Sequence, residues 1–222
     1  MWHQYNLINL VVAFIMVYDL YEIGYIENDC ETIKYEKNPT MRVSQLELDY
    51  YNSNRYKIYL VKIITALICT VFLLVVEGGD CCYVVFPWLL SPLYLVYNRI
   101  RNRWNLPIHA MLMHIRYYAP VLISIQLFSW IDALAFLFVY PLRVMIELSV
   151  KGKFGGYQNV FVKQYILHDY LNFQQYRLKY YALSTLVVGT LYLLHITDLA
   201  IFSLFAYFLL FTSCSLKFKK YK

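Results

Sequence analysis

Apolar segments long enough to cross a lipid bilayer recur along the whole chain, and they restrict the fold more than any other feature. A membrane-spanning helix needs about 20 mainly apolar residues. Seven candidate segments can be drawn, of which the third and the last are short: 7–26, 58–76, 82–97, 106–127, 131–150, 180–196 and 199–213. The composition agrees, because 60% of the residues are hydrophobic and 15% are charged, against about 45–50% and about 25% in soluble domains. We therefore expect an all-α, polytopic membrane helix bundle that forms a single transmembrane domain over residues 1–222, with cytoplasmic loops at 27–57 and 150–179.

Lysine and arginine are concentrated in alternate loops, which indicates the orientation in the membrane. The loops after the first, third and fifth segments and the C-terminal tail are basic, whereas the turns near 77–80 and 195–198 carry no Lys or Arg. Because basic loops stay on the cytoplasmic side, we expect the N-terminus outside and the C-terminus in the cytoplasm. The net charge of +6 is explained by this rule and by anionic lipid headgroups, so nucleic acid is not an expected partner. We expect a multi-pass protein of a bacterial inner membrane whose first segment is a retained helix rather than a cleaved signal peptide.

An acidic segment follows the first apolar segment directly. Eight of the chain's 14 acidic residues lie between Asp19 and Asp49. Asp19 and Glu22 fall inside or at the edge of the apolar segment itself. Carboxylates within a membrane are costly unless a cation or a substrate occupies them. The cluster indicates either a binding site at the cytoplasmic surface or, in the simpler interpretation, a solvated loop of mixed charge.

The spacing of the polar residues in this segment fits a phosphate site that includes a metal ion. Asp29 and Glu36 would lie roughly 10 Å apart along a helix axis, so each carboxylate can hold a hard cation such as Mg²⁺ with a diphosphate between them. Asn28, Thr32 and Glu36 would share one helical face. Arg42, which follows a helix-ending proline, offers a forked donor that suits phosphate.

Arginines further along the chain are candidate anion ligands. Arg101 lies with two neighbouring arginines in a basic run after Tyr97, where positive-inside anchoring explains them equally well. Arg116 lies in the middle of an apolar segment, so we expect it to pair with an acid or with a bound phosphate. Arg143 and Glu147 are spaced at i, i+4, which permits either an intrahelical ion pair or joint binding of substrate phosphate and metal.

The order of these motifs resembles that of a known family. The run Gly24-Tyr25-Ile26-x-Asn28-Asp29-x-x-Thr32-x-x-x-Glu36-Lys37-x-Pro39-Thr40-x-Arg42 is similar to the first aspartate-rich motif of the UbiA superfamily of membrane prenyltransferases. That motif reads Asn-Asp-x-x-Asp-x-x-x-Asp and precedes a proline and basic residues. Tyr97-x-x-x-Arg101 and Arg116 resemble the family's Tyr-x-x-x-Lys element and the arginine that follows it. Arg143-x-x-x-Glu147 resembles the Lys-Arg-x-x-Glu element of the branch that attaches phosphoribose to decaprenyl phosphate.

Several positions depart from the family pattern. Thr32 and Glu36 stand where the family has aspartates. The second aspartate-rich motif, expected within 150–179, is reduced to Asp169. The family usually has nine transmembrane helices, so the segments of this chain would correspond to its second to eighth helices.

The resemblance implies a UbiA-like membrane transferase that acts on a prenyl or phosphoribosyl diphosphate with Mg²⁺, in polyprenyl-lipid or envelope-glycan biosynthesis. Asp29 and Glu36 would be both its metal ligands and its catalytic residues. The residues implied in phosphate binding are Asn28, Arg42, Tyr97, Arg101, Arg116, Arg143 and Glu147. The implied partners are the diphosphate donor, a polyprenyl lipid or lipid phosphate, the membrane, and a partner subunit that supplies the missing helices.

Two alternatives stay open at this point. A catalytically degenerate relative would bind a lipid phosphate as an accessory membrane protein of an envelope-glycan system. A transporter subunit would use Asp19, Glu22 and Arg116 as a polar relay, although the lack of internal repeat symmetry argues against it.

Overall fold

The structure is a computed structural model, and it describes residues 7–35, 42–100, 102–124, 130–151, 158–166 and 173–219. Every secondary-structure element in these ranges is helical, which confirms the predicted all-α class. The α-helices are α1 (Leu7–Ile26), α2 (Gln45–Val71), α3 (Cys81–Val85), α4 (Leu90–Arg99), α5 (Asn105–Ser124), α6 (Trp130–Val139), α7 (Pro141–Val150), α8 (Phe173–Leu193) and α9 (Leu199–Lys219). They pack as two compact units, one formed by the described residues within 1–101 and 111–128, the other by those within 102–110 and 129–222.

In the first unit, α1 packs against both α2 and α4. Met16 and Val17 of α1 have no exposed surface, and Leu20 has almost none. The apolar contacts of these side chains hold the three helices together, because the packing of their surfaces is what stabilises helices against one another within a membrane. This packing fixes the end of α1, from which the predicted acidic segment continues.

Most of the described part of the predicted loop 27–57 is helical. A π-helical turn (Glu27–Glu31) and a 3₁₀ turn (Thr32–Tyr35) prolong α1. α2 then begins at a capping box, in which Ser44 Oγ accepts from the backbone N–H of Glu47 while Glu47 Oε2 accepts from the backbone N–H of Ser44. Because both orphan donors of the helix start are satisfied, the polar residues from Gln45 onward form helix rather than irregular loop.

In the second unit, α8 and α9 pack against each other after a tight turn in which His195 adopts a left-handed φ of 55°. Aromatic rings stack between the two helices, with the centroids of Tyr181 and Phe208 5.4 Å apart and those of Tyr192 and Phe202 5.8 Å apart. These contacts lie about three helical turns apart along α8. The two helices therefore form an aromatic-packed hairpin.

Four helical stretches of the described residues are long and apolar enough to cross a membrane: Leu7–Tyr35, Gln45–Val76, Cys81–Arg99 and Leu199–Leu216. They contain the first, second, third and last of the predicted segments. The chain thus carries the helices of a membrane protein, as expected. The number of seven spans and the orientation stay predictions.

The predicted segment 131–150 is not one straight helix. It is divided at Tyr140 and Pro141 into α6 and α7, which have ten residues each. Proline lacks the N–H that would continue α6, but it suits the first turn of α7. Tyr181 of α8 donates a hydrogen bond of 3.0 Å to the carbonyl of Val139, which satisfies an acceptor at the end of α6. A ten-residue helix rises only about 15 Å, half of the roughly 30 Å hydrocarbon core.

Candidate functional site

The acidic residues of the segment 27–42 form two sets. Those of the first set, Glu27 and Glu31, accept hydrogen bonds from tyrosines of α2. Glu27 Oε2 accepts from the Tyr59 hydroxyl at 3.0 Å, and Glu31 Oε1 accepts from the Tyr51 hydroxyl at 2.8 Å. The two hydroxyls lie 3.2 Å apart, and Arg55 adds an ion pair of 3.2 Å to Glu31. Glu27 and Glu31 therefore fix the π-helical turn against α2, and they are structural groups in this arrangement.

The second set contains the residues predicted to bind metal and phosphate. Asn28 Nδ2 donates to Asp29 Oδ1 at 2.7 Å, and Nη1 of Arg42 lies 3.8 Å from the same oxygen. The Asp29 side chain is largely buried, whereas 58% of the Arg42 side chain is exposed. An amide, a carboxylate and an accessible guanidinium are thus brought together where the candidate span Leu7–Tyr35 ends.

Two predicted site residues, Glu36 and Arg101, lie outside the described residues. The shared face predicted for Asn28, Thr32 and Glu36 stays a prediction. The Thr32 hydroxyl donates to the Glu27 carbonyl at 3.2 Å, within the turns that prolong α1.

Helix α4 closes on the end of α1 just before the acidic turn. A Cβ built on Gly24 would overlap the Tyr94 ring, so only glycine permits this approach. Asn98, which is 2% exposed, donates from Nδ2 to the Gly24 carbonyl at 3.1 Å. Tyr97, predicted to bind phosphate, has its ring centroid 5.7 Å from that of Tyr94. The sequence analysis did not single out Asn98. Its signal was an asparagine directly after Tyr97, at the end of an apolar segment.

Arg116 points at aromatic rings. Its guanidinium carbon lies 4.1 Å from the centroid of the Tyr21 ring, 5.1 Å from that of Tyr18 and 5.2 Å from that of Tyr117. Within the described residues, no carboxylate lies within 4 Å of this side chain, and its Nε is buried without a hydrogen-bond partner. Cation–π contacts stabilise a guanidinium, most strongly where it is desolvated. The expected acid partner is therefore replaced by three tyrosines.

Asp19 and Glu22 of α1 pair with a lysine of α2. Lys62 Nζ lies 2.7 Å from Asp19 Oδ1 and also forms an ion pair with Glu22. The two acids thus contact Lys62, whereas Arg116 contacts tyrosine rings. The structure does not support the relay that would join Asp19, Glu22 and Arg116.

In the second unit, Arg143 and Glu147 of α7 form the predicted i, i+4 ion pair, and they are 6% and 4% exposed. Arg177 of α8 donates to both oxygens of Glu147 at 2.7 Å each. It lies within the predicted loop 150–179 and was not among the predicted site residues. Hydrogen bonding to Glu147 raises the pKa of Arg177, so the guanidinium group stays protonated. Two arginines therefore engage the Glu147 carboxylate, and each of its oxygens accepts at least one hydrogen bond.

The described residues do not provide a complete protein site for Mg²⁺. No three His, Cys, Asp or Glu side chains among them are grouped so that they could hold a metal ion. Of the two predicted ligands, only Asp29 is described, and Arg42 lies against it. Mg²⁺ is usually bound by one or two carboxylates together with substrate phosphates. Asp29 fits an ion of that kind, carried by a diphosphate.

The chain was compared with family models, with curated proteins and with solved structures, and none of them matches it. The resemblance to the UbiA superfamily therefore rests on the motifs quoted above.

Proposed function

We propose that this chain is a UbiA-like membrane transferase that binds a prenyl or phosphoribosyl diphosphate at the segment 27–42. One observation carries the proposal. Glu27 and Glu31 are held by tyrosines of α2, whereas Asn28 and Asp29 meet the accessible Arg42. A structural network thus presents a separate carboxylate–guanidinium group at the end of a membrane helix, where a lipid-borne phosphate would arrive.

Each residue of this group has a role in the proposal. Arg42 binds the phosphate oxygens through its planar fork of donors. Asn28 orients the Asp29 carboxylate through the hydrogen bond to Oδ1. Mg²⁺, brought in with the diphosphate and bound at Asp29, would stabilise negative charge on the departing group. Glu36 remains the second proposed acid on the strength of the sequence motif.

The proposed architecture places this group in the cytoplasm. It has seven spans, with the N-terminus outside, the C-terminus inside and the basic loops on the cytoplasmic face of a bacterial inner membrane. The acceptor would be a polyprenyl lipid or lipid phosphate that reaches the site from the bilayer. A partner subunit would supply further helices to the bundle.

Release of diphosphate by the purified protein in liposomes tests the proposal. The donors are prenyl diphosphates, or phosphoribosyl diphosphate with decaprenyl phosphate, each with and without Mg²⁺. We expect Mg²⁺-dependent release that falls by at least about 100-fold in Asp29→Ala, the usual loss for a group that stabilises transition-state charge. Asp49→Ala is the matched control, because Asp49 is an exposed acid whose Oδ1 accepts from Gln45 on the surface of α2. Full activity of Asp29→Ala would contradict the mechanism.

A second candidate function is that of a lipid-phosphate-binding accessory protein without turnover. The contact between Arg42 and Asp29 favours it, together with the lack of a three-ligand metal group among the described residues. This version predicts a polyprenyl phosphate that co-purifies, stays bound in EDTA and is lost in Arg42→Gln, with no diphosphate release. Loss of the lipid on addition of EDTA would argue against it.

A further inference from the structure

The second unit contains a cavity of about 390 Å³ that involves none of the site residues above. Leu106 and Pro107 of α5 line it, together with Met145 and Ile146 of α7. Its volume lies within the range of about 300–1,000 Å³ that is typical of small-molecule sites. The unit therefore has room for part of an amphiphile.

The Ser149 hydroxyl and the Asn159 side-chain oxygen, which line the cavity, already have partners within the protein. Ser149 Oγ donates to the Ile146 carbonyl at 2.7 Å, and the Ser149 carbonyl accepts from the backbone N–H of Asn159 at 2.9 Å. Asn159 Oδ1 accepts in turn from the backbone N–H of Val162 at 3.1 Å. Because polar ligand groups would find few partners here and would lose their water, the cavity suits an apolar chain.

Arg103 is the one charged side chain among the described residues that line the cavity. It is exposed, and no carboxylate of the described residues lies within 4 Å of it. Its guanidinium carbon lies 5.9 Å from the centroid of the Trp104 ring, and Trp104 is 60% exposed. Both residues follow the end of the candidate span Cys81–Arg99 by a few positions. Trp and Arg are typical of the depth at which lipid headgroups lie.

We propose that this cavity binds an anionic glycerophospholipid of the surrounding membrane, with the headgroup phosphate at Arg103 and an acyl segment against Leu106 and Met145. Two features favour this occupant. One is Arg103, a cation with no carboxylate of the described residues within 4 Å. The other is an apolar wall in which the Ser149 hydroxyl and the Asn159 side-chain oxygen already have partners. Basic pockets between membrane helices bind anionic lipids by the same combination. The site uses neither Asp29 nor Arg42, so it stands whether or not the proposed transfer reaction occurs.

Lipid retention by the full chain tests this site. The protein is purified from liposomes of phosphatidylglycerol and phosphatidylcholine, and native mass spectrometry measures which lipid stays bound. We expect wild type to retain phosphatidylglycerol in preference. Arg103→Gln should weaken this retention about fivefold, the usual effect of one basic residue at an anionic surface. Met145→Trp should also weaken it by narrowing the cavity, whereas the control Arg99→Gln, an exposed arginine of the same basic run, should behave as wild type.

Three outcomes would overturn the proposal. The first is equal retention of the two lipids by wild type. The second is wild-type retention in Arg103→Gln, even if a destabilised Met145→Trp loses the lipid. The third, in liposomes that also contain a polyprenyl phosphate, is loss of that lipid, and not of phosphatidylglycerol, in both variants. Thermal unfolding of each variant in the same detergent shows whether it is folded, and Arg103→Gln, on an exposed turn, should be.

Discussion

Arg177 and Glu147 form a bidentate pair between α8 and α7, in which the guanidinium Nε and Nη2 each donate to one carboxylate oxygen at 2.7 Å. Arg143 binds the same carboxylate from its own helix. A buried carboxylate is tolerated only when its lone pairs meet donors, and two guanidinium groups supply them here. The start of α8 is therefore tied to α7 by charge as well as by apolar packing.

Arg177→Met should lower the stability of the second unit. Glu147 keeps Arg143 but loses two charge-assisted hydrogen bonds, so we expect the free energy of unfolding to fall by about 1–3 kcal/mol. Unfolding in detergent, followed by circular dichroism, measures the change. Lys179→Met, an exposed change on the same helix, should stay within about 0.5 kcal/mol of wild type. If the losses of the single variants Arg177→Met and Glu147→Gln add up to the loss of the double variant, the two side chains do not interact.

Tyr59→Phe should loosen the π-helical turn that carries Asn28 and Asp29. The variant removes the hydroxyl that donates to Glu27 at 3.0 Å, and we expect a loss of about 1–3 kcal/mol, since the acceptor is charged. Tyr56→Phe is the matched control, because Tyr56 lies on the same helix and is 86% exposed. If the two variants unfold alike, the bond between Tyr59 and Glu27 contributes no stability.

The sequence predicts the helical class and the four helices that are long and apolar enough to cross a membrane, because apolar length is a local property that needs no knowledge of neighbours. It also predicts the pairing of Arg143 with Glu147, since residues at i, i+4 share a helical face. Likewise, Ser44 and Glu47 could be recognised as a capping box from their spacing alone.

Contacts between helices could not be predicted in the same way. Glu27 meets Tyr59, and Asp19 meets Lys62, at separations of 32 and 43 residues. Such pairs depend on the rotation of α2 about its own axis relative to α1, which no spacing within one helix encodes. The face shared by Asn28, Thr32 and Glu36 stays a prediction, because Glu36 lies outside the described residues.

Gly24→Ala should destabilise the first unit, since the added Cβ would overlap the Tyr94 ring. Overpacking of this kind costs about 1–3 kcal/mol, which exceeds the gain of up to about 1 kcal/mol in helix propensity. Gly189→Ala is the comparison, because there the Cβ would lie 3.1 Å from the tip of the Phe202 ring, which can shift. Thermal unfolding of both variants should rank Gly24→Ala below Gly189→Ala. The reverse order would mean that α1 and α4 do not approach each other at Gly24.

The proposed orientation predicts which native thiols an external reagent reaches. Cys81 and Cys82 are exposed at the start of α3, beside a turn proposed to lie outside. Exposed thiols are the reactive ones, so a membrane-impermeant maleimide should label the protein in intact bacterial cells with a permeabilised outer membrane. Cys81→Ser/Cys82→Ser should abolish that labelling.

The same labelling decides on which side the candidate site lies. The candidate span Gln45–Val76 separates Arg42 from Cys81, so external thiols at Cys81 and Cys82 require a cytoplasmic Arg42. Labelling that appears only after the inner membrane is opened, and is again lost in the double serine variant, would place Arg42 outside. Prenyl and phosphoribosyl diphosphates made in the cytoplasm could then not reach it, and the transferase proposal would fail with the orientation.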